Sequence, residues 1–393
     1  MKQKLLVAGV GFVLVGLVIG AMLWPRSAKG PVVGVIVAET GESDFIGRPE
    51  RAVLEALEAR LRDGLGGRIP FVLRIRDSGG SADAARAIFQ DFVNDPDVIA
   101  VIGPSTSGES IAVADVADSS EVPLLSLAAS KDIVLKPGVT PPTARRWVFK
   151  CAQNDDLAAA RLLHVMAHQK MKRVALLYQG NGFGKSGAAV IRDAVNRTPG
   201  ITIVHEVAFP PSLDRPSSFA SAIPKDADAI VIWGTAPGPA LLVQSVREAQ
   251  LDAQIFLSHG NASRAFIDSA GPASEGCVVV GSRILLPEQE QATDGNRVLR
   301  DFRQLWNNAK IPGEPSQFGG YARDAYEMVL QAVTEGKASN RLGVRDHIER
   351  GGAFSGVTGT YRFSDRDHAG LEQDAFEVFR IDGGRFRPWS SAP

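Results

Sequence analysis

The stretch that decides the fold runs from Val174 to Gly187, VALLYQGNGFGKSG. An apolar strand (Val174 to Tyr178) enters a glycine-rich turn, and a helical pattern, AAVIRDAV, follows from Ala188 to Val195. Such a turn often holds a phosphate, because free backbone N–H groups and the helix dipole converge there. A P-loop needs G-x-x-x-x-G-K-[ST]. Gly184-Lys185-Ser186 supply its end, but Gln179 stands where the first glycine belongs. Gly182-Phe183-Gly184-Lys185-Ser186-Gly187 does spell the dinucleotide fingerprint G-x-G-x-x-G, with Glu206 where a ribose-binding acid would stand. Three residues separate it from the strand, however, and it does not open the domain. The remaining reading is a loop at the C-terminal edge of a parallel sheet, where open α/β sheets bind ligands.

Outward from this stretch, strands and helices alternate. VVGVIVA (Val32 to Ala38) reads as a buried strand, and FVLRIRD (Phe71 to Asp77), VIAVIG (Val98 to Gly103) and PLLSL (Pro123 to Leu127) as the strands that follow it. Helical spacing appears over Glu50 to Leu65, Ser81 to Val93 and Glu109 to Ser119. A second set follows RWVFK: a helix at Leu157 to Gln169, VALLY, a helix from Ser186 to Val195, ITIVHEVAF, AIVIWG, a helix at Ala240 to Ala249, QIFLS and CVVVG. After the polar segment PEQEQATDGN the pattern is mainly helical (Asn296 to Ala309, Gly320 to Thr334, Arg341 to Arg350), and it ends on TGTYRF and FEVFRIDGG. Repeated βαβ units with buried strands predict parallel sheets covered by helices on both faces.

The chain has 393 residues, room for two to three domains, and 43 basic against 44 acidic side chains. That balance gives no reason to expect nucleic acid as a partner. Lys2 and Lys4 precede an uncharged apolar run from Leu5 to Trp24. Its roughly 20 residues match an export signal or a membrane anchor, with the body outside the cytoplasm. Two cysteines, Cys151 and Cys277, form either one disulfide or two buried thiols.

Other motifs are weaker. GPSTSGES (Gly103 to Ser110) caps a helix and can equally offer hydroxyl and N–H donors to a carboxylate, but it lacks the final glycine of G-x-S-x-G. His164 and His168 lie four apart without the glutamate of a zinc-protease motif. No catalytic set, metal site or cofactor is expected.

Taken together, VGVIVAETGESDFIG, RDSGGSADAARAIFQDFV, VIAVIGPSTSGES, VPLLSLAAS, RRWVFK, VALLYQGNGFGKSG, ADAIVIWG, SEGCVVV, YARDAYEMVLQAV and TGTYRFSDRDHAG resemble, in order and spacing, the type I periplasmic solute-binding proteins of ABC transporters. The resemblance is to the leucine/isoleucine/valine-binding branch and covers about Val32 to Pro388. It implies two doubly wound α/β lobes joined by three crossover strands, closing on a small ligand. Lobe I would hold residues 31–148 and 283–355 and lobe II residues 149–282 and 356–393, behind the N-terminal apolar helix and linker of residues 1–30.

Carried over residue by residue, the carboxylate-binding serine falls on Ser107, and the next donor pair on Ala129 and Ser130. Phe183-Gly184 stands where the family has Tyr-Gly. The carboxylate that meets an α-ammonium falls on His259, and the nearby tyrosine on Ala236. Glu42, Phe45 and Tyr321 are further candidates for the cleft wall. The implied function is an extracytoplasmic binding protein that hands an amino acid or related acid to ABC permease subunits. A membrane-tethered sensor or scaffold for an envelope enzyme is the alternative, and a dinucleotide-dependent oxidoreductase a remote one.

Overall fold

A computed structural model of the protein describes residues 30–65, 69–286 and 297–389. The apolar run Leu5 to Trp24 and the segment PEQEQATDGN lie outside these. Among the described residues no helix is long and apolar enough to cross a membrane.

Strands β1 (Val32–Val37), β2 (Val72–Asp77), β3 (Val98–Ile102), β4 (Leu124–Ser126) and β5 (Val148–Lys150) form a parallel sheet in the order β2-β1-β3-β4-β5. VVGVIV and VIAVI are buried along their whole length, as strands covered on both faces must be. Helices α1 (Asp44–Gly64), α2 (Ala82–Asn94) and α3 (Ser107–Ser119) connect these strands.

Helix α4 (Asp155–His168) leads into a second sheet of β6 (Arg173–Gln179), β7 (Thr202–Phe209), β8 (Ala229–Trp233), β9 (Gln254–Leu257) and β10 (Val278–Gly281). Helices α5 (Gly182–Arg197), α6 (Pro216–Ser221), α7 (Gly238–Glu248) and α8 (Arg264–Ala270) lie between its strands. The parallel part runs β7-β6-β8-β9-β10, so the second sheet repeats the strand order of the first.

Beyond β10 the chain returns to the first lobe as α9 (Arg297–Asn308), α10 (Gln317–Thr334) and α11 (Arg341–Arg350), with α10 packed along α1. A short antiparallel pair, β11 (Phe354–Ser355) and β12 (Thr360–Tyr361), precedes the last crossing. The chain then adds β13 (Glu377–Asp382) antiparallel to β10, and β14 (Arg385–Pro388) beside it. This antiparallel edge departs from the expected all-parallel pattern, since a hairpin needs no crossover helix.

The first and last crossings are tied to each other and to α10. Tyr361 donates from its hydroxyl to the Cys151 carbonyl (2.6 Å). Buried Asp324 on α10 accepts from the amides of Val357 (2.8 Å) and Thr358 (3.1 Å). Tyr321 donates to Gln153 on the first crossing. Cys151 and Cys277 are both free and buried, so the disulfide alternative falls away.

Candidate functional site

In a doubly wound sheet the strand order reverses at one point, and the loops after the two central strands splay apart there. In the first lobe that point lies between β1 and β3, and in the second between β6 and β8. The loops leaving all four strands face one another across a cavity of about 450 Å3 walled by both lobes.

The first-lobe wall is built on α3. Thr106 caps this helix through a reciprocal box with Glu109, in which the Thr106 side chain meets the Glu109 amide and the Glu109 carboxylate meets the Thr106 amide. Ser107 and Gly108 follow as the first helical residues, whose amides have no partner inside the helix. The Ser107 hydroxyl accepts from the Ser130 amide (3.2 Å), which leaves its own proton to donate into the cavity. Glu109 is held above the usual carboxylate range by burial, while hydrogen bonds from Ser78 and Thr106 oppose that rise. Ala129 completes the wall. Behind it the buried Lys150 donates from Nζ to the Ala129 carbonyl and to Asn154. Burial brings that ammonium down to about 8, with Asp155 the largest opposing influence.

The second-lobe wall carries Asn181, Phe183, Thr235, His259 and Gly260. GFGKSG is not a loop: the helix begins at Gly182, with the Asn181 side chain accepting from the Gly184 amide (2.9 Å). Its glycines serve packing. A Cβ on Gly184 would lie 1.8 Å from the Gln179 carbonyl oxygen, and one on Gly187 would lie 2.1 Å from Trp233 Nε1. Gln179 Oε1 accepts from the Thr235 amide (3.1 Å) and fastens the two switch-point loops together.

His259 sits in a short 3-10 turn after β9, buried among Phe183, Trp233 and Phe376 at centroid distances of 5.3, 5.8 and 5.5 Å. Neither ring nitrogen has a hydrogen-bond partner among the described residues. Burial, reinforced by the Lys150 charge, holds the imidazole down to about 3. It is therefore neutral at physiological pH, with one donor and one acceptor. Gln317 on α10 donates to the His259 carbonyl (2.7 Å) and so links the lobes.

Of the residues singled out from sequence, Ser107, Ala129, Phe183, His259, Glu42 and Tyr321 line the cavity. Ser130 and Phe45 do not. The Ser130 hydroxyl turns away to Ser186 of the second lobe (2.9 Å), and Phe45 packs edge-on against Phe318, which is itself in the wall. Ala236 is buried outside the lining. Sequence reasoning missed Gln317, Phe318, Asn181 and Thr235. The strand-end position of Asn181 and Thr235, two residues beyond β6 and β8 respectively, was the signal that could have found them.

Two doubly wound lobes facing each other across a cavity define a two-lobed binding protein. The chain belongs to the periplasmic binding protein family, whose sequence model matches residues 32–385. Membership implies an extracytoplasmic location. A Leu/Ile/Val-binding protein homologue from Brucella melitensis is 24% identical over 322 residues, covering 80% of this chain and 81% of the relative. The Leu/Ile/Val-binding protein BraC3 of Rhizobium johnstonii is 22% identical over 318 residues, with the same coverage of each chain. An extracellular ligand-binding receptor from Rhodopseudomonas palustris superposes with a TM-score of 0.82 at 21% identity, over 92% of this chain and 99% of that one. The LivJ substrate-binding protein of Streptococcus pneumoniae, solved with isoleucine, gives 0.76 at 20% identity, over 91% and 98%.

Proposed function

We propose that the chain is the extracytoplasmic substrate-binding component of an ABC importer, with the run Leu5 to Trp24 as its export signal or anchor. It holds a small polar or carboxylate-bearing solute between its lobes. The observation that carries this is the Ser107 end of the cavity. There a hydroxyl with an uncommitted proton and the first-turn amides of α3 converge on one side of a chamber closed by the other lobe. Hydroxyl and N–H donors at a helix N-terminus suit a carboxylate. The leucine-, isoleucine- and valine-binding relatives support an amino acid or related acid as the solute class. No bond is made or broken. A ligand touching both walls favours the closed arrangement by its greater affinity for it, and a permease would read that arrangement.

Thermal unfolding against amino acids, aliphatic and aromatic carboxylates, small amides, NAD and ATP tests this. A ligand at about 100 times its Kd adds roughly 2.7 kcal/mol. The expected result is a raised midpoint with one carboxylate class, abolished in Ser107→Ala. A rise with NAD alone would move the function to a dinucleotide enzyme, and silence across the panel to a sensor or scaffold.

A further inference from the structure

The charges around the cavity are unevenly placed. Among the described residues its lining holds two carboxylates, Glu42 and Glu109, both from the first lobe. Glu109 uses its oxygens on the Ser78 hydroxyl and on the hydroxyl and amide of Thr106. Glu42 stands in the exposed loop after β1. Among the described residues the second-lobe lining contributes no acid: beside His259 it presents Asn181, Phe183, Pro211, Thr235 and Gly260.

The fixed positive features point the same way. Lys150 lies directly behind Ala129, and its charge acts on His259. Helices α3 and α5 both bring their N-termini to the cavity, and their first residues touch: a Cβ on Gly182 would lie 3.1 Å from Gly108 Cα. Both helix ends carry partial positive charge. A ligand ammonium placed here would meet like charge and lose its water without a counter-ion, a costly exchange. A neutral imidazole could accept one of its protons but could not balance its charge.

Building on the receptor reading, we propose that the solute is a small apolar monocarboxylate without an ammonium group, and that His259 is the residue that sets this preference. The carboxylate takes Ser107 and the α3 amides. Ile46, Leu127, Phe183 and Phe318 cover an aliphatic or aromatic body. His259, neutral and aromatic-walled, offers an ammonium no counter-charge on the facing wall.

The test is calorimetric titration of the full-length chain, freed of carried ligand by unfolding and refolding. It uses matched pairs: 4-methylpentanoate with leucine, and 3-phenylpropanoate with phenylalanine. At least one acid should bind tenfold or more tighter than its amino counterpart. His259→Glu should narrow or reverse that gap, whereas the neutral His259→Gln should keep it. Leucine or phenylalanine binding as tightly as its partner acid overturns the inference while leaving the receptor intact, and loss of that binding in Glu42→Gln would then locate the ammonium. Absence of binding by every member of both pairs overturns the inference together with the carboxylate-receptor reading. The wild-type comparison needs no variant, so a His259→Glu chain that fails to fold does not remove the test.

Discussion

At His259 a single side chain links folding to pH. Its folded-state value near 3 lies well below the ordinary 6.5 of the unfolded chain. The unfolded state therefore takes up a proton first as pH falls, so this residue's contribution is intact above about 6.5 and is lost as pH drops toward 3. Between pH 7 and 5 the wild type should lose about 2 kcal/mol relative to His259→Phe, which cannot titrate. Denaturant unfolding of the two proteins at both pH values checks this, and parallel pH dependences would contradict it. Buried Glu50 and Asp155, both raised chiefly by burial, act in the opposite sense, contributing most at low pH and less as pH rises through their folded values. They are common to both proteins and cancel in the difference.

At the scale of an element, α5 does two jobs with one face. Gly184 and Gly187 let it lie against β6 and Trp233, while Ser186 reaches back to the first lobe. The Ser186 hydroxyl accepts from Ser130 and donates to Asp155, and the other Asp155 oxygen accepts from the Lys131 amide (3.2 Å). This clasp joins the lobes outside the cavity, where a ligand does not compete for it. Ser186→Ala removes both of its hydrogen bonds, and the one from Ser130, which exists when the lobes meet, is worth roughly 1 kcal/mol. Ligand affinity should fall about fivefold, with a larger radius of gyration by small-angle scattering for the ligand-free chain. An unchanged affinity would show that Ser130 and Ser186 are merely adjacent.

For the molecule as a whole, function is set by how far the lobes separate. Gly182 of α5 lies against the backbone of Gly108 in α3, where an added Cβ would sit 3.1 Å from Gly108 Cα. Gly182→Trp should wedge them apart while leaving each lobe's core intact. Scattering should report an enlarged molecule, and affinity should drop more than tenfold, because a ligand binds only the fraction of chains able to close. The ligand-free unfolding midpoint should stay close to the wild type. Wild-type affinity with the wedge in place would mean that closure at this edge is not needed for binding.

The sequence by itself determined the lobes. Buried strands such as VVGVIV and VIAVI leave parallel, helix-covered sheets as their stable arrangement, and the order of motifs was enough to expect two lobes and a cleft. The family resemblance singled out Ser107, Phe183 and His259, and the structure brings all three to the crevice where strand-end and helix-start residues of such sheets gather. Local pattern misjudged GFGKSG, since glycines read as a loop when nothing in the sequence shows what the helix must pack against. Tertiary structure alone decided the rest. Ser130 turned its hydroxyl to the opposite lobe rather than the ligand, Gln317 arrived from a helix some 60 residues beyond His259, and Lys150 came to lie behind Ala129. Whether His259 carries a charge was decided there too, because protonation depends on the aromatic walls and the buried ammonium that three chain crossings bring around it.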